Sequence, residues 1–475
     1  MTTGLNFWDS QVWVFMMELS MLLGAMLFAN MLRRLIPALR RSLIPSSVLA
    51  GFLVLIVNGL IEKVSGESFF ERITLETLTY HGLGLGFVAL ALKTGDRNKS
   101  KTGKVDVFNT GVTVVATYLV QAIVGLAISM LLAYLIGSWA CGGLLVPMGY
   151  GQGPGQAYNW GHIYETATDY IPFPNGTSFG LGVAAMGFVS ASIGGIIYLN
   201  IIKAKGRKIG VVDTSEETED LSAQSITAKG EIPLAESLDK LTVQFGLVFF
   251  TYMAAYGLMW LASLGLDALG GFFVGTVKPL VWGFNFLIGT LCAIIIKAVF
   301  RFWKAQGWMH REYCNDFMLS RIAGVMFDIM VTASIAAIDL SAFSHREFVI
   351  PLILVCLAGA VATYFFVDKV SATLFSGYRD EAFLSLYGML TGTASTGVIL
   401  LREVDPYFET PASNNMIYQQ LWAIVFGFPM LLLLGIAPQS PTMTWVTMGA
   451  LIALLVIMCL ILFRTKIFGK NKKKA

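Results

Sequence analysis

GYGQGPGQA, residues 149–157, places four glycines and a proline in nine residues, without a charge. It follows the apolar WACGGLLVPM and comes shortly before another long apolar stretch. Glycine and proline are the weakest helix formers. A stretch of this kind where a bilayer span is expected decides how the rest of the chain is read.

The surroundings are those of a membrane protein. Of 475 residues, 56% are hydrophobic and 13% charged, and the mean hydropathy is +0.69. A soluble chain of this length has no way to hide so much apolar surface, so the class is an all-α polytopic membrane protein. A net charge of +3 is too small to point to nucleic acid. The four histidines and five cysteines show no C-x-x-C or H-x-x-x-H spacing, and the cysteines read as small apolar fillers. MTTGLNFWDSQ carries no Lys or Arg, so the first apolar segment reads as a retained span rather than a signal peptide.

A span needs about 20 apolar residues. Eleven candidates lie near 12–32, 47–62, 77–93, 109–136, 178–202, 242–264, 279–300, 319–340, 347–368, 416–436 and 443–463. Two further stretches, 139–160 and 382–401, are too short and too Gly-rich to be ordinary spans. Basic residues fill every second loop. They include Arg33, Arg34, Arg40 and Arg41 after span one, Lys93 to Lys104 after span three, and Lys203 to Lys208 after span five. Further groups follow spans seven and nine, and six basic residues end the chain. The positive-inside rule then sets the N-terminus outside and the C-terminus in the cytoplasm. This bookkeeping holds only if 139–160 and 382–401 each enter and leave on one face, as re-entrant hairpins from opposite sides.

A polar stretch at 204–241, rich in Ser, Thr, Glu and Lys, reads as a cytoplasmic linker between two similar halves. Residues 12–203 hold five spans with hairpin 139–160, and residues 242–436 hold five spans with hairpin 382–401. The halves start on opposite sides, so they form two inverted-topology repeats, with an extra span at 443–475. Interrupted apolar segments at matching places of inverted halves point to a secondary transporter's binding site.

Irregular backbone at membrane depth must be buried in protein or face a water-filled cavity. In the first tip, Gly151, Gly153 and Gly155 shape the loop, Tyr150 accompanies them, and Gln152 and Gln156 offer amides. In the second, Gly392, Thr393, Ser395, Thr396 and Gly397 supply small residues and three hydroxyls. Free N–H groups at helix starts suit a carboxylate, while the hydroxyls of Thr393, Ser395 and Thr396 suit sodium. The blander reading is tight packing, since small residues are common at helix contacts.

GYGQGPGQA with the following GFVSASIGGIIY (187–198), and GMLTGTASTGVILLREVDP (388–406), resemble the two repeat motifs of the bacterial sodium:glutamate symporter family. SLIPSSVLAGFLV (42–54) resembles that family's second-span start. The resemblance covers roughly 12–436. It implies a multi-pass protein of the bacterial inner membrane, a homodimer with a static and a moving domain in each subunit, an elevator-like movement, and sodium-coupled uptake of glutamate or a similar organic anion. Tyr150 and Gln152 stand where the family motif usually has Gly and His. Ala394-Ser395-Thr396 and Leu400 stand in place of a Thr-Pro-Thr run and a downstream Asn, so another amino acid or small carboxylate stays open as substrate.

Ionisable groups within spans are functional candidates by default. Asp328 lies mid-span and is a candidate for a sodium site or, with proton coupling, a proton carrier; its bland alternative is a hydrogen bond to a neighbouring span. Glu18 reads as an inter-helix contact, Asp339 as a wet span end, and Arg402 with Glu403 as a local pair rather than a carboxylate clamp. His81 and His162 read as interfacial. No Walker or dinucleotide motif is present, so transport would draw on an ion gradient and no organic cofactor is called for. A channel would have little need of inverted halves, and Ser395 lacks the base an intramembrane enzyme requires.

Overall fold

A computed structural model describes residues 10–93, 103–206, 238–271, 273–406 and 408–464. Most of the expected linker, 207–237, lies outside them, as do the basic stretch 94–102 and the tail from 465. In chain order the helices are α1 (Ser10–Leu35), α2 (Pro37–Arg41), α3 (Ser46–Ser65), α4 (Arg72–Leu92), α5 (Lys104–Ile136), α6 (Pro154–Glu165) and α7 (Gly176–Ala204). Beyond the linker come α8 (Lys240–Leu269), α9 (Lys278–Gly283), α10 (Asn285–Ala305), α11 (Asp316–Ala336) and α12 (Arg346–Leu374). The chain closes with α13 (Arg379–Thr391), α14 (Ala394–Arg402), α15 (Ala412–Tyr418), α16 (Gln420–Ile436) and α17 (Pro441–Leu462).

The protein is an all-α polytopic membrane protein, with eleven helical segments long and apolar enough to cross a bilayer among the described residues. They coincide with the eleven expected spans, with differences at three places. Span seven is divided at Phe284, between α9 and α10, and span ten starts as the separate turn α15. Span eight stops at Ala336, short of the expected residue 340. There Asp339 accepts a hydrogen bond from Ser341 N at 2.8 Å and caps a 3-10 turn, Leu340–Ser344. Helix ends follow familiar chemistry: α3 and α5 stop at Gly66 and Gly137, both left-handed.

The chain separates into two compact units, which interleave the two sequence halves. One takes the described residues within 70–99 and 212–334, and so holds α4, α8, α10 and nearly all of α11. Its core joins Val88 and Leu92 of α4, Val248 of α8, Ala293 of α10, and Leu319 and Ile322 of α11. A polar cluster ties three of these helices: His81 Nδ1 lies 3.0 Å from Tyr252 Oη, to which Asn285 Nδ2 donates at 3.1 Å. The other unit takes the described residues within 1–69, 100–211 and 335–475. In it α1 packs on α3, with Glu18 buried. Both hairpins, α5, α7, α12 and the last two spans also belong to it.

All five cysteines are free, and four are buried, as small apolar fillers are. Span eleven lies outside the two sequence halves. It lies along α5: Thr444 Oγ1 is 3.7 Å from Cys141 Sγ near the C-terminal end of α5, and Arg464 Nη1 donates to Asn109 Oδ1 at 3.1 Å near the N-terminal end. The Arg464 guanidinium also sits over the Phe108 ring.

The junction of two helical hairpins

Helix α5 is the ruler along which the hairpins are placed. The first hairpin leaves its root through a 3-10 turn, Gly142–Leu145, and a π-helical turn, Pro147–Gln152, then reverses at Gly153 into α6. Its root sits at the C-terminal part of α5, where Gly143 N donates to Ser129 Oγ at 2.7 Å. Gly143 and Gly125 press backbone against backbone, an approach that any side chain would prevent. The hairpin comes back to the same end. Trp139, before it, stacks on Phe173 and touches Tyr164, both beyond its tip. Its extent, 142–165, is close to the expected 139–160.

The second hairpin is α13, a break at Gly392 and Thr393, and α14. Its root sits at the opposite end of α5. Tyr378 Oη donates to Asp106 Oδ2 at 3.0 Å and accepts from Asn415 Nδ2 at 2.9 Å, so the residues before and after the hairpin share one end. From Asp106 to Ser129 the axis of α5 runs roughly 35 Å at about 1.5 Å per residue, comparable to a bilayer. Neither hairpin crosses that length, and the two start from opposite ends.

Both stop midway along α5. Tyr118 Oη donates to Gly151 O at 3.0 Å in the first tip. One turn on, Gln121 Nε2 donates to Leu390 O at 2.8 Å, just short of the second tip. Helices α7 and α12 repeat this order. On α7, Gly187 touches both Tyr150 and the Thr391 carbonyl, while Tyr198 reaches Asp380 at the second root. On α12, Cys356 O accepts from Tyr150 Oη at 2.8 Å, and Asp368 pairs with Arg379. The tips meet: a Cβ on Gly153 would sit 3.5 Å from Thr393 Cγ2.

The expected site residues therefore come together, in different roles. Gly153 (φ +87°, ψ 179°) is in a region essentially restricted to glycine, and starts α6. Gly151 leaves room for the Tyr118 ring, and Gly155 is buried in the first turn of α6. Tyr150 is fully buried, and its hydroxyl is committed to Cys356 O and to Ser190 Oγ, so it acts as a strut. Gln152 is half-buried. Gln156 is 1% exposed, and neither atom of its amide has a hydrogen-bond partner among the described residues. In the second tip, Gly392 and Gly397 pack closely on Thr396 and on the Ser385 carbonyl. Thr393 and Thr396 bring their hydroxyls within 3.4 Å, Thr396 being buried, while Ser395 is exposed.

Asp328 is described with its own helix. It is an exposed residue of α11, in the other unit. Arg402 ends α14, far from the tip, and stacks on Phe408 instead of pairing with Glu403. His162 is exposed and lies against the Tyr158 ring. Residues that sequence reading passed over complete the cradle: Tyr118 and Gln121 of α5, Ser190 of α7 and Thr363 of α12. An amide in the middle of an apolar span, as in TYLVQAIVG (117–125), was the available signal.

The electrostatics follow from the helix ends. The N-termini of α6 and α14 both lie at the junction, each equivalent to roughly half a positive charge. First-turn N–H groups have no partner within their own helix. No Lys, Arg, Asp or Glu occurs in 147–157 or 388–397. An open cleft of about 620 Å³ lies elsewhere, at the second hairpin's root, and Tyr198, Lys205, Tyr364, Asp368 and Glu381 line it.

No family model, no curated protein and no solved structure matches the chain.

Proposed function

We propose that the protein is a secondary active transporter that carries glutamate or a similar small organic anion by sodium-coupled symport, with the substrate held at the hairpin junction. The observation that carries this reading is the meeting of two helix N-termini, at Gly153 and Thr393, midway along α5. Two like partial charges in contact are unfavourable until an anion lies between them, and helix N-termini bind carboxylates readily. Gln156 supports the same reading. A buried amide without partners costs about 1–3 kcal/mol, which a bound ligand would offset.

Broken helices from opposite ends, meeting at mid-depth, are the arrangement by which many transporters expose one site alternately to either side. Thr393, Ser395 and Thr396 offer hydroxyls for sodium. Under this reading the hairpin-bearing unit moves and the other unit is the static, dimer-forming one. Lys104, Lys203, Lys205, Lys369, Arg379 and Arg464 all belong to the ends of helices joined at the second hairpin's root. The positive-inside rule makes that end cytoplasmic.

The test is uptake of labelled glutamate into proteoliposomes with and without an inward sodium gradient, with amino acids and dicarboxylates as competitors. Saturable, concentrative uptake that needs the gradient is expected. Flux that neither saturates nor concentrates its substrate would instead make the protein a channel.

A further inference from the structure

We infer that Gln121 Oε1 is a ligand to a monovalent cation bound behind the second tip, at the C-terminal end of α13. The inference deepens the transport reading above, and rests on it for the role of the ion.

The argument starts from one side chain. Gln121 sits in the middle of α5 and is fully buried. Its Nε2 donates twice, to Leu390 O at 2.8 Å and to Thr363 Oγ1 at 2.9 Å. Those two partners fix which arm of the amide is nitrogen. A carbonyl can only accept, and the Thr363 hydroxyl already donates its proton to Gly359 O at 2.7 Å. Turning the amide over would set oxygen against two acceptors. Oε1 is therefore the remaining arm, and it has no donor among the described residues. A buried acceptor left in this state is costly.

A neutral donor or a cation would satisfy it, and the oxygens around it favour a cation. The carbonyls in the last turn of α13 lack intrahelical donors and carry the negative end of that helix. Leu390 O, one of them, already touches the Gln121 amide. Gly151 O is brought to the same face of α5 by Tyr118, one turn before Gln121. Each carbonyl accepts one hydrogen bond and keeps a second lone pair. Unwound carbonyls and half-helix C-termini are the usual holders of coupling cations in broken-helix transporters. Every oxygen here is neutral, and among the described residues no group of three His, Cys, Asp or Glu side chains comes together. Neutral oxygens suit a singly charged ion, whereas a divalent one ordinarily takes carboxylates. The tip then has two poles: α6 and α14 present N-termini to an anion, and α13 with Gln121 presents oxygens to a cation.

The test needs no transport. Thermal unfolding of the purified full-length protein is followed against sodium chloride, with choline chloride as the ionic-strength control and no substrate. A ligand that binds only the folded state raises the midpoint. A sodium-specific rise is expected for the wild type. In Gln121→Leu the sodium needed for half the rise should increase roughly 10- to 100-fold, the usual size of such losses around a metal. Gln121→Asn, which withdraws the oxygen by one methylene, serves if the leucine variant does not fold, with the same direction expected. No sodium-specific rise in the wild type overturns the site. A rise that is identical in the Gln121 variants also overturns it, places the cation elsewhere and leaves the transport reading standing. A rise that depends on Gln121, in a protein that fails the uptake test, would retain the site and remove transport.

Discussion

The two hairpins reach the same depth but are held in different ways. The first is embedded along its length: Pro154 to Gly161 of α6 are all buried, and Gly161 and Gly180 lie against the backbones of Gly176 and Ala157. Its outgoing leg is a wound-up strand of 3-10 and π turns that fits only because Gly143 and Gly125 can touch. The second is two ordinary helices. Its leg α13 is buried, but α14 leaves Ala394 and Ser395 exposed and packs mostly on α13. Three consecutive residues fix its root to three helices: Tyr378 to α5, Arg379 to α12 and Asp380 to α7. The difference separates a fixed wall from a surface that can yield at its tip. Damage to the embedded legs of the first hairpin should therefore cost folding, and damage at the tips should cost function first.

The largest effect that would break this contrast is Gly143→Val. Its side chain must part α5 from the hairpin, and overpacking of this kind costs about 1–3 kcal/mol or more. The purified variant is expected to lose several degrees in thermal midpoint, or not to be recovered in folded form. A wild-type midpoint would mean that the first hairpin is as loose as the second. Next comes Gly153→Val. The residue would be forced into a glycine-only conformation at about 1–3 kcal/mol, with added branches near Thr393. Uptake in proteoliposomes should fall to background, with normal membrane insertion. Thr396→Val should likewise remove uptake, yet leave the thermal midpoint within about a degree, since valine nearly matches threonine in shape and the lost hydroxyl contact is weak, at 3.4 Å. If Gly153→Val and Thr396→Val both transport at wild-type rates, the hairpins are structural only.

The spans and the two hairpins were legible in the sequence, the contrast between the hairpins was not, and the reasons differ by region. Lipid fixes the length of a span, so eleven apolar segments and two short Gly-rich ones could be told apart by counting. Basic residues in alternate loops then forced GYGQGPGQA and its counterpart to turn back. The cradle was not legible. Gln121, Thr363 and Ser190 are neutral residues inside apolar spans, and hydropathy averages them away. Asp328 drew attention because charge stands out, yet no spacing rule tells which compact unit a span will join. Span eleven is apolar on nearly every side, so its pattern does not tell that it will lie along α5, where Thr444 meets Cys141 and Arg464 meets Asn109 and Phe108.

The smallest expected effect tests the root of the second hairpin. Arg379 Nη2 lies 2.8 Å from Asp368 Oδ1, but the two side chains are 43% and 33% exposed. Exposed ion pairs couple by about 0.2–1 kcal/mol, and salt weakens them. A double-mutant cycle with Arg379→Ala and Asp368→Ala should give a coupling in that range from denaturation midpoints, smaller at high salt. Uptake should be little changed, because Tyr378 and Asp380 still hold the root from either side of Arg379. A loss above about 2 kcal/mol from Arg379→Ala alone, beyond what such a pair supplies, would mean that the root depends on one anchor rather than three. The freedom of the tip would then have to be sought in the Gly392–Thr393 break and not in the way α13 is tied down.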